Sequence, residues 1–254
     1  MANIKLVLEY EGTNYYGWQI QPNVPTIEGE LQNALARILK QRVIITGAAR
    51  TDRGVHAKGQ VVSFKLSLSF PVFQLIPALN SVLSPDIRVK RASQVKNAFH
   101  ARHSARYKIY RYVICNNFVL HPWLRNFSWW VPFPLNCKLM QDAASYLIGR
   151  RDFSSFENKG SPFMSPVRCV QKIKIKKQGS LITVSIKADA FLYKMARNIA
   201  GTLVEVGRGR FSPLDVRNFL LTKDRRKAGP TAPPQGLFLW RVGYDRDIFD
   251  KNSW

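Results

Sequence analysis

A single carboxylate, Asp52, is the residue in this chain whose setting best suits catalysis. It lies between Arg50 and Arg53 in the stretch GAARTDRGVHA. From residue 31 to residue 141 the chain carries seventeen Lys and Arg but only two acids, Asp52 and Asp86. Neighbouring positive charge favours the ionised carboxylate, which can act as a nucleophile or a base on a substrate that cations hold in place. The pattern predicts catalysis on a polyanion, and the plainer alternative is that the Asp-x-Gly sequence only forms a turn.

The chain as a whole is strongly basic. Its 254 residues include 39 Lys and Arg against 16 Asp and Glu, so the formal net charge is +23. Positive charge that runs through the whole chain and alternates with aromatic residues is typical of proteins whose partner carries phosphates. A generally basic proteome and binding to a membrane surface are the alternative explanations.

The cysteines and the N-terminus indicate where the protein works. Cys115, Cys137 and Cys169 are odd in number and far apart, which predicts neither a disulfide framework nor a metal clip and favours a reducing compartment. The N-terminus lacks the long apolar run of a secretory signal, and no run is long enough to span a bilayer. We therefore expect a cytoplasmic protein without a membrane partner.

No motif predicts a metal or another cofactor. Metal-dependent nucleases need clustered carboxylates, which are missing in sequence around Asp52, and a glycosidase pair would need a second acid brought close by folding. His100 and His103 have a His-x-x-His spacing without further ligands, which favours a structural or an RNA-contacting role. No Gly-rich phosphate loop follows a strand and opens a helix.

Two halves with the same order of elements are expected to position these groups. The first half is predicted as strand 4–10, helix 27–39 after the N-cap Thr26, strands 43–46 and 60–66, helix 72–83 and strand 86–92. The second half is predicted as strand 107–116, helix 135–148, a hairpin of strands 169–176 and 181–187, helix 191–206 and strand 236–244. Each order is βαββαβ, the ferredoxin-like unit. The expected fold is therefore α+β, with an N-terminal half over 1–105 that carries the loop containing Asp52 and a C-terminal half over 106–254. The antiparallel sheets of the two halves are expected to join across a basic central cleft.

Two long stretches, 117–134 and 150–166, have no clean periodicity. The first contains three Trp, and the second contains Phe153, Phe156, Lys159 and Phe163. Aromatic side chains beside cations suit bases that must be stacked or displaced. Filling of the core is the alternative role for most of them.

Five motifs follow one another along the chain. The first motif is Tyr10-Glu11-Gly12-Thr13 followed by Gly17-Trp18-Gln19-x-Gln21, and the second, at residues 50–57, has the form R-T-D-x-G-V-H-A. The third is Phe99-His100-Ala101-Arg102, which leads to Tyr110-Arg111-Tyr112. The fourth is FLYKMARNIAG at 191–201, and the fifth is Ala232-Pro233-Pro234-x-Gly236-Leu237. In this order, over nearly the whole chain, they resemble the bacterial tRNA pseudouridine synthase A family.

The resemblance implies roles for five residues. Asp52 matches the catalytic aspartate, and Tyr110 matches the tyrosine that stacks on the target base. Arg197 matches the arginine that pairs with the aspartate. Arg50 belongs to the basic wall near the RNA, and Leu237 lines the uracil pocket.

Spacing by itself leaves the partner of the carboxylate open. Arg50 and Arg53 are its neighbours in sequence, and an arginine from another segment, such as Arg197, fits equally well. Arg53 fills a variable position of the signature and has no implied role.

The resemblance also implies a reaction. A homodimer binds tRNA across both subunits and isomerises uridine to pseudouridine in the anticodon stem-loop, at tRNA positions 38, 39 and 40. The N1–C1′ bond breaks, the uracil rotates and C5 bonds to C1′, so no redox cofactor is needed, and the base must first leave its stack. Whether Asp52 attacks C1′ or removes a proton to form a glycal stays open, as does the base that takes the C5 proton.

Two functions of other classes also fit the charge. A non-catalytic RNA-binding module, such as a chaperone built from two ferredoxin-like halves, shares the cations and aromatics but has no need for Asp52 in its setting. A structural, ribosome-associated protein would more typically carry basic tails, which this sequence does not show.

Overall fold

The computed structural model describes residues 1–67, 70–160 and 165–245, so Phe163 lies outside the described residues. The chain forms two compact units, Met1–Tyr107 with Leu239–Trp254, and Lys108–Phe238. Each unit combines helices with a sheet, which confirms the predicted α+β class. Within the described ranges, no helix is both long and apolar enough to cross a bilayer.

The first unit is built on an antiparallel sheet. Its elements are β1 (Ala2–Tyr10), α1 (Ile27–Leu39), β2 (Thr46–Gly47), β3 (His56–Leu66), α2 (Leu75–Val82) and β4 (Ile87–Val95), and the strand order is β4-β1-β3-β2. Alternate residues of β1 are buried because successive side chains of a strand point to opposite faces. Thr26 caps α1 by accepting a hydrogen bond from the Gly29 N–H at 3.3 Å, as the sequence predicts.

Two predicted elements of this unit differ from the structure. The strand expected at 43–46 is paired only over Thr46–Gly47, although Val43 and Ile45 are buried and Ile44 is 79% exposed. The alternation therefore reports which side chains are buried and not which backbone groups are paired. The helix expected at 72–83 begins with the 3₁₀ turn Val72–Gln74 and continues as α2, where Pro77 lies in the first turn and removes no helical hydrogen bond.

The second unit has a mixed sheet with helices. Its elements are β5 (Tyr107–Cys115), β6 (Trp129–Trp130), α3 (Cys137–Ser145), β7 (Gly149–Asp152), β8 (Val167–Gln178), β9 (Leu181–Ala188), α4 (Met195–Gly207) and α5 (Pro213–Thr222). The strands follow the order β5-β9-β8-β7, and α3 packs on α4, α5 and β8. The last strand, β10 (Leu237–Gly243), contributes its residues from Leu239 onward to the first unit, beside β3.

The expectation of purely antiparallel sheets is wrong at β6. This two-residue strand pairs with β5 in parallel, Ile114 opposite Trp129, while the pairs of β5, β7, β8 and β9 in this unit are antiparallel. The aromatic stretch 117–134 therefore returns to the sheet instead of remaining a free loop. Parallel pairing needs a crossover rather than a tight turn, so local turn signals do not reveal it.

The helices of the second unit also depart from the sequence prediction. α4 begins at Met195 and not at residue 191, because Lys194 adopts a left-handed conformation with φ of 59°. α5 is missing from the prediction, although Pro213 at its first position and the capping box of Ser212 and Asp215 are visible in the sequence. The Asp215 carboxylate accepts from the Ser212 N–H at 2.8 Å, and the Ser212 hydroxyl accepts from the Asp215 N–H at 3.3 Å.

Candidate active site

Asp52 lies in the loop that joins β2 to β3, and its side chain is partly exposed. The fully buried Gln60 of β3 holds the loop, because its amide donates to the Ala49 carbonyl at 2.7 Å and its oxygen accepts from the Ala49 N–H at 3.2 Å. The Ala48 N–H donates to the Val61 carbonyl at 2.8 Å. A tight turn follows, in which the Val55 N–H donates to the Asp52 carbonyl at 3.1 Å. The backbone at the carboxylate is therefore fixed by β3.

A second segment, residues 10–18, holds the same loop. Four hydrogen bonds join them: Trp18 N–H to the Thr51 carbonyl at 3.0 Å, Gly54 N–H to the Tyr15 carbonyl at 3.3 Å, Gly12 N–H to His56 Nδ1 at 3.0 Å, and the Tyr10 hydroxyl with the Thr51 hydroxyl at 2.9 Å. These bonds join the motif at 10–21, the N-terminal motif, to the motif at 50–57, the Asp motif. The first supports the backbone of the second.

Two glycines of the N-terminal motif are required by this close approach. Gly17 has φ of 95°, and a Cβ there would lie 2.6 Å from the Thr51 carbonyl oxygen. A Cβ at Gly12 would lie 2.1 Å from the Val55 carbonyl oxygen. Both distances are far below van der Waals contact, so any side chain would push the segment off the Asp52 loop.

The two arginines beside Asp52 have different surroundings. The Arg53 guanidinium lies over the Tyr16 ring, 4.1 Å from its centre, a cation–π contact that gives Arg53 a structural role. Arg50 is exposed. Burial raises the pKa of Glu28, and the positive charge of Arg50 opposes that shift. Arg50 therefore lies near the Glu28 carboxylate.

Tyr110 lies on β5 in the second unit and is 7% exposed. Its ring meets Phe191 edge-on, with centroids 4.7 Å apart and planes at 76°. Tyr112 lies two residues further on the same strand face, and its hydroxyl donates to the Pro233 carbonyl at 2.7 Å. Packing thus orients the ring of Tyr110.

Arg197 lies in the first turn of α4 and is hydrogen-bonded to Ala232, 35 residues further along the chain. Its Nε donates to the Ala232 carbonyl at 2.7 Å, and its own carbonyl accepts from the Ala232 N–H at 3.2 Å. Burial raises the pKa of the Tyr112 hydroxyl and the charge of Arg197 lowers it, so the guanidinium lies close to Tyr112. A Cβ at Gly236 would lie 2.7 Å from the Tyr112 ring, and Leu237 follows as the buried first residue of β10. Arg197, Tyr112 and the segment leading to Leu237 therefore form one cluster.

The predicted site residues are distributed over both units. Asp52 and Arg50 belong to the first unit, and Tyr110, Arg197 and Leu237 belong to the second. The sequence analysis gives no role to Asn198, although the motif at 191–201 contains it, and no motif marks Arg225; both are described below.

His100 and His103 form a pair whose rings are 4.2 Å apart. The Nδ1 of His100 accepts from the backbone N–H groups of Arg102 and His103 at 3.2 Å each. Burial lowers the pKa of His100, and electrostatic interaction with His103 and Arg102 lowers it further. These contacts give His100 a structural role in a turn, and the described part of the chain brings no three His, Cys, Asp or Glu together as a metal site.

The sequence profile of a family described as tRNA pseudouridine synthase matches residues 6–104 and 143–245. The tRNA pseudouridine synthase A of Thermoanaerobacter sp. (strain X514) is 47% identical over 244 residues, which cover 96% of this chain and 100% of that protein. The protein of the same name from Geobacter sulfurreducens is 43% identical with the same coverage. Among solved structures, a chain of a Cbf5–Nop10–Gar1 complex can be superimposed on 79% of this chain, with 13% sequence identity and 54% of its own length covered. The TM-score of 0.33 is too low to define the fold.

Proposed function

This chain belongs to the tRNA pseudouridine synthase family, and from that membership we propose that it isomerises uridine to pseudouridine at positions 38, 39 and 40 of the tRNA anticodon stem-loop. The observation that carries the proposal is the setting of Asp52. The carboxylate of the family signature occupies a loop whose backbone is bound by two separate segments, in a chain of net charge +23. Such a loop holds a reacting group in place while a large substrate binds.

The proposed reaction assigns a task to each of five residues, and it gives the Tyr110 hydroxyl a second one, the relay of the C5 proton. Asp52 initiates cleavage of the N1–C1′ bond, at C1′ or by taking a proton from the ribose, and both routes need the ionised carboxylate. Tyr110 stacks on the uracil after it leaves the helix, and Arg197 pairs with the Asp52 carboxylate and keeps it aimed. Leu237 lines the uracil pocket, and Arg50 contacts phosphate. C5 then bonds to C1′ and loses its proton while N1 gains one, so the reaction is balanced without a cofactor.

We also infer the finer architecture and the assembly. The order β4-β1-β3-β2 with α1 and α2 as crossovers supports a ferredoxin-like N-terminal half over 1–105. We assign a second such half to 106–254, whose closing strand β10 contributes its residues from Leu239 onward to the first unit. We propose that the protein works in the cytoplasm as a homodimer on tRNA. A monomeric mass by sedimentation, with and without tRNA, would contradict the dimer.

The direct test uses the hydrogen that C5 loses. Unmodified tRNA transcribed with [5-³H]uridine should release tritium when incubated with the protein, and chemical mapping should place pseudouridine at positions 38 to 40. A transcript with cytidine at these three positions is the control and should release none. Absence of release from the uridine transcript would disprove the activity.

Replacement of Tyr110 by Phe separates stacking from proton chemistry. The substitution keeps the aromatic ring, which is 7% exposed, and removes only the hydroxyl. We expect Tyr110→Phe to slow single turnover by about 30-fold, because a hydroxyl that relays the C5 proton contributes general acid–base catalysis. The affinity for tRNA should not change. An unchanged rate would confine Tyr110 to stacking, and Tyr110→Ala would then measure the stacking alone.

Binding of tRNA should weaken steeply with salt, because phosphate contacts release counterions. If about four phosphates are neutralised, the Kd should rise roughly 10²-fold between about 50 and 200 mM salt. The slope for Arg50→Gln should be smaller by about 1 if Arg50 contacts one phosphate. Filter binding at several salt concentrations measures both, and a slope that Arg50→Gln leaves unchanged would remove Arg50 from the interface.

A further inference from the structure

The guanidinium of Arg225, in the loop after α5, is the centre of a hydrogen-bond network in the second unit. Its acceptors among the described residues are the Gly229 carbonyl at 2.9 Å, the Asn198 side-chain oxygen at 2.9 Å, the Thr231 hydroxyl at 3.0 Å, and the Ala228 carbonyl and Asn158 side-chain oxygen at 3.4 Å. Burial lowers the pKa of Arg225. Partial burial of a cation on neutral acceptors costs free energy, so a residue with no function beyond filling this place would more favourably be neutral.

Asn198, the residue after Arg197, links this network to α4. Its side chain is fully buried, and its oxygen accepts from Arg225 at 2.9 Å and from the Thr231 hydroxyl at 2.6 Å. Its nitrogen donates to the Phe156 carbonyl at 2.7 Å and to the Asn158 side-chain oxygen at 2.8 Å. All four hydrogen-bonding positions of the amide are occupied, which fixes the rotation of the first turn of α4 about its axis.

The loop of residues 228–232 lies directly against α4. A Cβ at Gly201 would lie 1.8 Å from the Pro230 carbonyl oxygen, and a Cβ at Gly229 would lie 2.6 Å from the Thr202 Cα. The Gly229 N–H donates to the Thr202 hydroxyl at 3.0 Å. The position of Ala232, which follows in this loop, is therefore set by contacts with α4 on one side and with Arg225 on the other.

We propose that Arg225 is a positioning residue of the reaction, which acts through the Ala232 carbonyl on the guanidinium of Arg197. Ala232 accepts the Nε–H of Arg197, so the place of this carbonyl decides the direction of the other two guanidinium nitrogens. The planar guanidinium of Arg225 donates from separate nitrogens to the loop carbonyls and to the Asn198 oxygen at the same time. A lysine ammonium is a single point charge and cannot bind all of these acceptors together. The inference rests on the proposed function, in which Arg197 aims Asp52.

A double-mutant cycle tests this route. Single-turnover rates at saturating enzyme report the chemical step, and a displacement of about 1 Å at a reacting group costs up to roughly 10²-fold. We expect Arg225→Lys to slow this step by about 30-fold with an unchanged Kd for tRNA. In an Arg197→Met background the same change should cost less than about 2-fold, because the residue through which it acts is gone.

Arg226→Lys, the same substitution at the next residue, is the matched control. The Arg226 side chain is 90% exposed and paired with Asp224 at 2.8 Å, so this variant should keep the wild-type rate. Urea unfolding at the reaction temperature gives the folded fraction by which each rate is corrected. If Arg225→Lys does not fold, Thr231→Val removes one partner of Arg225, and its several-fold loss should likewise vanish in the Arg197→Met background.

The outcomes separate the two proposals. Wild-type protein that forms no pseudouridine disproves the proposed function. Active wild-type protein with an unaffected Arg225→Lys variant disproves only the positioning role. The positioning role is also disproved if Arg225→Lys slows the reaction by the same factor in the wild-type and in the Arg197→Met background. Arg225 would then act through general stability and not through Arg197.

Discussion

Replacement of Asp52 by Asn should abolish pseudouridine formation, with a single-turnover rate at least about 10⁴-fold below wild type. The amide has the size of the carboxylate but neither its charge nor its nucleophilicity. The fold should remain, because the loop is held by backbone atoms, including the Asp52 carbonyl that accepts from the Val55 N–H at 3.1 Å. Tritium release measures the rate, filter binding measures the affinity for tRNA, and circular dichroism verifies the fold.

Asp86→Asn is the control for this experiment. Asp86 is the other acid of the basic stretch 31–141, and its carboxylate accepts from the Asn14 side chain at 3.4 Å at the surface. This variant should keep the wild-type rate, so that a loss seen only at Asp52 is not an effect of net charge. Turnover by Asp52→Asn near the wild-type rate would refute the assignment and favour the non-catalytic RNA-binding alternative.

Replacement of Gly201 by Ala should destabilise the protein by at least about 4 kcal/mol, a magnitude reserved for severe steric or polar defects. Helix propensity alone predicts the opposite sign, because Ala stabilises a helix interior by about 1 kcal/mol relative to Gly. The added Cβ, however, would lie 1.8 Å from the Pro230 carbonyl oxygen, and relief of this contact requires a costly shift of the backbone. Urea unfolding gives the free energy, and the rate should fall too, since the loop that carries Ala232 would move.

Gly179→Ala provides the comparison. Gly179 has φ of 58° in the β8–β9 turn, and nothing lies within 4 Å of an added Cβ, so the loss should be only about 1–2 kcal/mol from the left-handed backbone. If Gly201→Ala unfolds at the wild-type urea concentration or above it, the close packing of the loop on α4 is incorrect.

Local pattern predicts the elements that have one dominant period or a clear boundary. β1 and α1 are confirmed because alternation and the Thr26 cap are local properties. The strand expected at 43–46 is wrong over most of its length, since burial without a ladder produces the same alternation. The sequence pattern predicts the start of α4 too early, because the left-handed Lys194 interrupts a stretch whose composition remains helical.

The sequence by itself determined the charge of the protein, the motif that contains Asp52 and the class of most elements, because these depend on residue types and on periods of two to four positions. The tertiary structure decided which distant segments meet. It placed residues 10–18 on the Asp52 loop and Arg225 beside Asn198, and it made Gly12 and Gly201 indispensable. These relations are contacts between residues far apart in the chain, where only the packed backbone sets the distance, and no local spacing encodes them.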